Sequence, residues 1–147
     1  MHQSFGMRII AWSSSLTQES ANQKAEEVGL PSTTEDGEPT FLVVGKDKLF
    51  READVLSVHY VLSERSRGIV SKKDLANMKS SALFVNTSRG PLVVEQDLLE
   101  ILENNKIRGA ALDVFDLEPL APESRWRSTD WGSKVSNYPS QRVGCFC

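Results

Sequence analysis

The chain has 147 residues, 39 % of them hydrophobic and 25 % charged, and a formal net charge of −3. That balance fits one soluble globular domain and excludes a disordered chain, and with no basic stripe the footprint of a nucleic-acid binder is missing. The two cysteines, Cys145 and Cys147, fall among the last three residues, which is no disulfide framework and makes a reducing, cytoplasmic compartment the default. With no His or Cys beside them they read as a terminal coincidence, so no metal site is expected. The apolar run Ile9-Ile10-Ala11-Trp12 is too short for a membrane span or a signal-peptide core.

Residues 7–12 (MRIIAW) predict a short buried strand, stopped by Ser13-Ser14-Ser15. Residues 17–28 predict a helix capped by Thr17 and ended by Gly29-Leu30-Pro31. STTEDGEPT is turn-rich and predicts a loop. A strand at 41–44, a short helix at 46–53 and a strand at 54–60 follow. Ser71 and Asp74 make a capping-box pattern for a helix running to about Met78. Residues 81–86 predict a strand. In 94–104 the apolar Val94, Leu98, Ile101 and Leu102 form one helical stripe. The strand at 109–115 is the last clear element. Short apolar strands alternating with helices predict a parallel sheet covered on both faces, with ligands at the carboxyl ends of the strands.

Candidate site residues sit at those ends. Arg89, three residues past the 81–86 strand, carries a fork of donors that suits a carboxylate and an adjacent carbonyl oxygen. Gly90 would let the backbone turn close to a ligand. Asp113 falls inside an apolar run, where an unbonded carboxylate is costly. Glu118 stands just outside that strand, before Pro119. It reads either as a solvated loop carboxylate or as the partner of a catalytic histidine. His59, in an apolar strand, reads as a near-core histidine.

NTSRGPLV (86–93) and GAALDVFDLEPL (109–120), at their mutual spacing, closely resemble the cofactor-binding domain of the D-isomer-specific 2-hydroxyacid dehydrogenases. The likeness runs from about residue 6 to about residue 132. It implies an oxidoreductase that moves a hydride between NAD or NADP and a small 2-hydroxy or 2-keto acid. It also implies an α/β fold, a partial Rossmann-type, doubly wound parallel sheet. Arg89 would hold the substrate carboxylate and polarise its keto oxygen. Glu118 would hydrogen-bond the acid–base histidine. Asp113 would bond the nicotinamide carboxamide, and Ser13, Tyr60, Thr87 and Ser88 would line the dinucleotide. Family members usually dimerise through this domain, so a homo-oligomer is implied, with no nucleic-acid or membrane partner.

The sequence departs from the family pattern in four places. Nine glycines contain no GxG, and MHQSFGM falls at the end of the helix that would bind pyrophosphate. The first, central strand of the sheet is therefore expected to be missing. About ten backbone groups would lose partners at about 1–3 kcal/mol each if buried, against a domain stability of about 5–15 kcal/mol. The histidine expected beyond Glu118 is missing, since the chain holds only His2 and His59. VSNYPSQRVGCFC does not resemble the family continuation, and a changed reading frame, a splice variant or a mis-assembled gene would each produce it. Ser13 stands where many members carry an acidic residue for the adenosine ribose, which leaves NAD and NADP both open. A polar cap is also expected where Val94 stands. These departures divide the chain into a truncated dinucleotide-binding domain, 1–134, and a non-family tail, 135–147. They imply little or no activity in the chain alone, the substrate domain being absent. The alternative is a non-enzymatic remnant or interaction module that binds a partner, or a dinucleotide weakly.

Overall fold

The computed structural model describes residues 7–137, so His2, Cys145, Cys147 and the rest of the tail beyond 137 lie outside the described residues. The chain divides into two compact units between Arg51 and Glu52. The first unit contains β1 (Ile9–Ala11), α1 (Gln18–Glu27) and β2 (Phe41–Val43); α2 (Lys46–Glu52) includes the division, its last residue falling to the second unit. β1 and β2 pair in parallel, Ile9 opposite Phe41 and Ala11 opposite Val43.

Thr17 caps α1 as its sequence position predicts. Its Oγ1 accepts from the Ser20 amide at 3.2 Å, and its own amide donates to Ser20 Oγ at 3.1 Å. At the other end Gly29 takes φ +75°, and the Leu30 amide reaches back to the Ala25 carbonyl at 2.9 Å. Ala21 and Ala25, both buried, face inward where α1 meets β2. The first helical residue, Gln18, does what a neighbouring strand would do. Its Nε2 donates to the Phe41 carbonyl and its Oε1 accepts from the Val43 amide, both at 2.9 Å. One side chain thus satisfies a donor and an acceptor of β2 that would otherwise need water.

The second unit is built from β3 (Val55–Val58), α3 (Lys72–Leu75), β4 (Leu83–Asn86), a 3-10 turn (Gly90–Leu92), α4 (Glu95–Glu103), β5 (Gly109–Leu112), α5 (Arg125–Ser128) and β6 (Val135–Asn137). Its sheet has the order β3-β4-β5-β6, with every pairing parallel. The parallel strands and helical crossovers are those of the Rossmann-type class that the sequence predicts. Register places Leu56, Phe84 and Ala110 in one row, and Val58, Asn86 and Leu112 in the next, all on the buried face. The α4 stripe of Leu98, Ile101 and Leu102 is buried as well.

Three features differ from the sequence reading. Cover on both faces was expected, but β3 alternates: Leu56 and Val58 point into the core while Val55, 58 % exposed, and Ser57 point out. α3 ends at Leu75, and the chain then tightens, with the Asn77 and Met78 amides donating three residues back. β6 was not foreseen, because three residues with a serine in the middle carry no alternation to detect. It is anchored at its entry, where the Ala110 amide donates to the Lys134 carbonyl at 2.7 Å.

Candidate functional site

In the second unit the sequence-predicted residues gather where β3, β4 and β5 end. Arg89 is the third residue past β4, in extended conformation (φ −148°, ψ 134°), just ahead of the 3-10 turn that Pro91 stiffens. Its guanidinium is exposed, and Nη1 donates to the Ser88 carbonyl at 2.7 Å. Among the described residues no carboxylate pairs with it. An exposed cation at a strand's carboxyl end, with no carboxylate pairing with it among the described residues and donors left beyond the one given to Ser88, is equipped to receive an anionic ligand.

The turn beneath it is heavily tied. Ser88 Oγ donates to the Tyr60 carbonyl at 3.1 Å, joining the ends of β3 and β4. The Gly68 amide donates to the Pro91 carbonyl at 2.9 Å, and the Val70 amide to that of Leu92 at 3.0 Å. Gly90 lies close to protein, a neighbour the sequence did not reveal: a Cβ there would collide with the Phe115 carbonyl and the Asp116 amide.

The expected burial of Asp113 needs correction. The apolar run suggested a carboxylate inside the strand, yet β5 ends at Leu112 and the Asp113 side chain is exposed. Its amide continues the ladder to the Asn86 carbonyl at 3.0 Å while its carboxylate is left in solvent, so no burial cost arises. Glu118 lies on the following loop, where its Oε1 accepts from the Phe115 amide at 2.8 Å. The neighbouring Asp116 amide donates to Glu95 Oε2, in the first turn of α4, at 3.3 Å. The segments bearing Arg89 and Glu118 therefore meet backbone to backbone at Gly90 and Phe115. Thr87 is exposed at the end of β4, and Tyr60 is half-buried.

His59 is not a near-core residue. It continues the outward row of β3, is exposed, and its Nε2 shares a 2.9 Å hydrogen bond with Ser57 Oγ. In the first unit, Ser13 is half-buried just past β1, its carbonyl accepting from the Leu16 amide at 3.4 Å. Among the described residues no cluster of His, Cys, Asp and Glu could hold a metal, and no helix is long and apolar enough to cross a membrane.

Asn86 is the residue the sequence reading passed over. It is 2 % exposed, its Oδ1 accepts from the Ser88 amide and its Nδ2 donates to the Arg89 carbonyl, both at 3.1 Å. The available signal was an asparagine closing an otherwise apolar strand, where a carboxamide can satisfy the turn that follows.

Comparison with known proteins places this geometry. The family model for the D-isomer specific 2-hydroxyacid dehydrogenase, NAD binding domain, matches residues 1–132. A hydroxypyruvate reductase of Thermotoga maritima is 35% identical over 121 residues, 82% of this chain and 34% of the relative. A glyoxylate/hydroxypyruvate reductase B of Klebsiella pneumoniae is 46% identical over 78 residues, 53% of this chain and 24% of the relative. The crystal structure of a phosphoglycerate oxidoreductase from Vibrio cholerae superposes with a TM-score of 0.71 at 37% identity, over 93% of this chain and 38% of that one. The chain thus spans about a third or less of the length of such relatives.

Proposed function

This chain belongs to the D-isomer-specific 2-hydroxyacid dehydrogenase family, and from that premise we propose that it is the nicotinamide-binding part of a 2-keto acid reductase. The observation that carries the proposal is Arg89, an exposed guanidinium without a carboxylate partner among the described residues, on a turn fixed to the loop of Asp113 and Glu118. The substrate class is a small 2-keto or 2-hydroxy acid.

The donor set suits the cofactor. Asp113 offers an exposed carboxylate to a carboxamide N–H. Thr87 and Tyr60 offer a hydroxyl and a phenol at neighbouring strand ends, and the Ser88 hydroxyl keeps acceptor capacity after donating to Tyr60. Ser13 offers a hydroxyl to a ribose, and serine admits NAD and NADP alike. When bound, the dinucleotide supplies or accepts the hydride. Arg89 binds the substrate carboxylate and draws electron density from the keto oxygen. Glu118 has one oxygen on the Phe115 amide and a second free to orient an imidazole.

No histidine follows Glu118 in these 147 residues, and loss of an acid–base group costs about 10²–10⁴-fold in rate. We therefore assign residues 1–134 to cofactor binding and residues 135–147 to a tail outside the family pattern. The reaction is placed in the cytoplasm, and a homo-oligomer is the expected state of the complete enzyme. The purified chain is expected to bind NADH or NADPH saturably and to show no turnover of glyoxylate, pyruvate or hydroxypyruvate. Asp113→Ala should weaken that binding about tenfold, the worth of one charged hydrogen bond. An Asp113→Ala chain that binds as wild type, or turnover abolished by Arg89→Ala, overturns the respective half of this reading.

The outward row of β3 favours a second reading. β3 is an edge strand of its sheet and Val55 is 58 % exposed, which suits association with a partner chain. Co-elution with a full-length relative would support it, and separate elution would remove it.

A further inference from the structure

We propose that Asn86 and Gly90 are positioning residues, which together register the turn of Arg89 against the loop that carries Asp113 and Glu118. Asn86 commits three polar groups to this. Its Oδ1 takes the Ser88 amide, its Nδ2 gives to the Arg89 carbonyl, and its backbone carbonyl takes the Asp113 amide. One nearly buried residue therefore grips Arg89 from the residue before it and from its own carbonyl, and holds the first residue of the opposing loop. Aspartate has the acceptor but not the donor, and alanine has neither. Removing a buried partner leaves the others unsatisfied, so the position is chemically narrow.

Gly90 supplies the second half. Its φ lies outside the left-handed region, so backbone conformation does not demand glycine there. The demand is steric: a Cβ would meet the Phe115 carbonyl carbon and oxygen and the Asp116 nitrogen, all backbone atoms that cannot swing aside. Phe115 is the residue whose amide Glu118 accepts. A methyl at position 90 pushes on the carbonyl end of the same residue whose amide holds the Glu118 carboxylate. A misplacement of about 1 Å between reacting groups can cost about 10²-fold in rate, so this seam sets more than local packing.

That the registered groups act on a keto acid rests on the function proposed above; that this seam registers them does not. The test is amide hydrogen exchange and amide resonance positions on the ¹⁵N-labelled full chain, for wild type, Gly90→Ala, Asn86→Asp and Leu75→Ala. Leu75, fully buried in α3, is the control for general destabilisation. Gly90→Ala is expected to shift the Phe115 and Asp113 resonances and to lower their protection at least tenfold, with Leu102 in α4 unchanged. Leu75→Ala should lower protection evenly. If Gly90→Ala does not fold, Asn86→Asp, which adds no volume, carries the comparison through Ser88 and Asp113. Phe115 and Asp113 amides that keep wild-type protection, or a loss as even as that of Leu75→Ala, overturn the proposal. NADH titrated into the same wild-type sample separates the two claims, because failure to bind sinks the function and leaves the exchange comparison intact.

Discussion

At the scale of single residues, the site and the first unit share a device: an amide side chain that stands in for missing backbone partners. Gln18 completes β2 with a donor and an acceptor, and Asn86 completes the turn after β4 in the same way. Gln18→Leu keeps the bulk and removes both bonds to β2 together with the bond to Asn22 Oδ1. At a net contribution of about 0.5–1.5 kcal/mol each, it should lower stability by about 1.5–4.5 kcal/mol, read from the urea midpoint. A midpoint equal to wild type would show that water replaces the side chain without cost. Neither amide was legible in the sequence. A glutamine at a helix start and an asparagine at a strand end are both common, and only coordinates show which backbone groups lie within reach. The place of Arg89 past the end of β4 was legible, because Gly-Pro after an arginine at a strand end restricts where the chain can go.

Helices α3 and α4 show how elements were read correctly and their joints were not. The apolar stripe gave α4, and Ser71 with Asp74 gave the start of α3. The joint between them is polar: the Lys72 amide donates to Asp97 Oδ2 at 2.7 Å, and the Lys72 ammonium pairs with Glu100 at 2.5 Å. The Glu100 hydrogen bond and its negative charge, aided by Asp97, hold the Lys72 ammonium above the ordinary value of 10.5. A raised lysine contributes stability below 10.5 and loses it as pH climbs through the folded value. The difference between wild type and Lys72→Met should therefore shrink above pH 10.5, and a constant difference would remove the ion pair from the account.

The start of α4 carries a second test. Val94 has an extended backbone (φ −71°, ψ 101°) and makes no side-chain cap bond. Val94→Thr retains the shape and adds an acceptor for the orphan amides. It should raise stability by about 1 kcal/mol, and a loss would mean that the apolar packing of the valine methyls outweighs the cap. The missed β6 and the open face of β3 have one cause. Both depend on what lies beside a strand, which a strand's own residues report only through alternation, and β6 is too short to alternate.

On the scale of the whole molecule, the family likeness came from two stretches whose residues lie far apart in sequence and meet in space. NTSRGPLV and GAALDVFDLEPL end adjacent parallel strands, and Gly90 against Phe115 is where they touch. Spacing along the chain could suggest that meeting, and only the structure shows it to be backbone on backbone. The burial of Asp113 and of His59 was misjudged in the same direction. Both were read as interior from apolar neighbours, and both are exposed because the ladder ends or alternates at them.

The central claim is that Arg89 is a carboxylate anchor. Its most direct test follows the Arg89 Nε–H resonance of the NADH-saturated chain during titration with glyoxylate and, in parallel, glycolaldehyde, which lacks the carboxylate. The account predicts a saturable shift at Arg89 with glyoxylate and none with glycolaldehyde. An Arg89 signal that ignores glyoxylate, or answers both compounds alike, would contradict it.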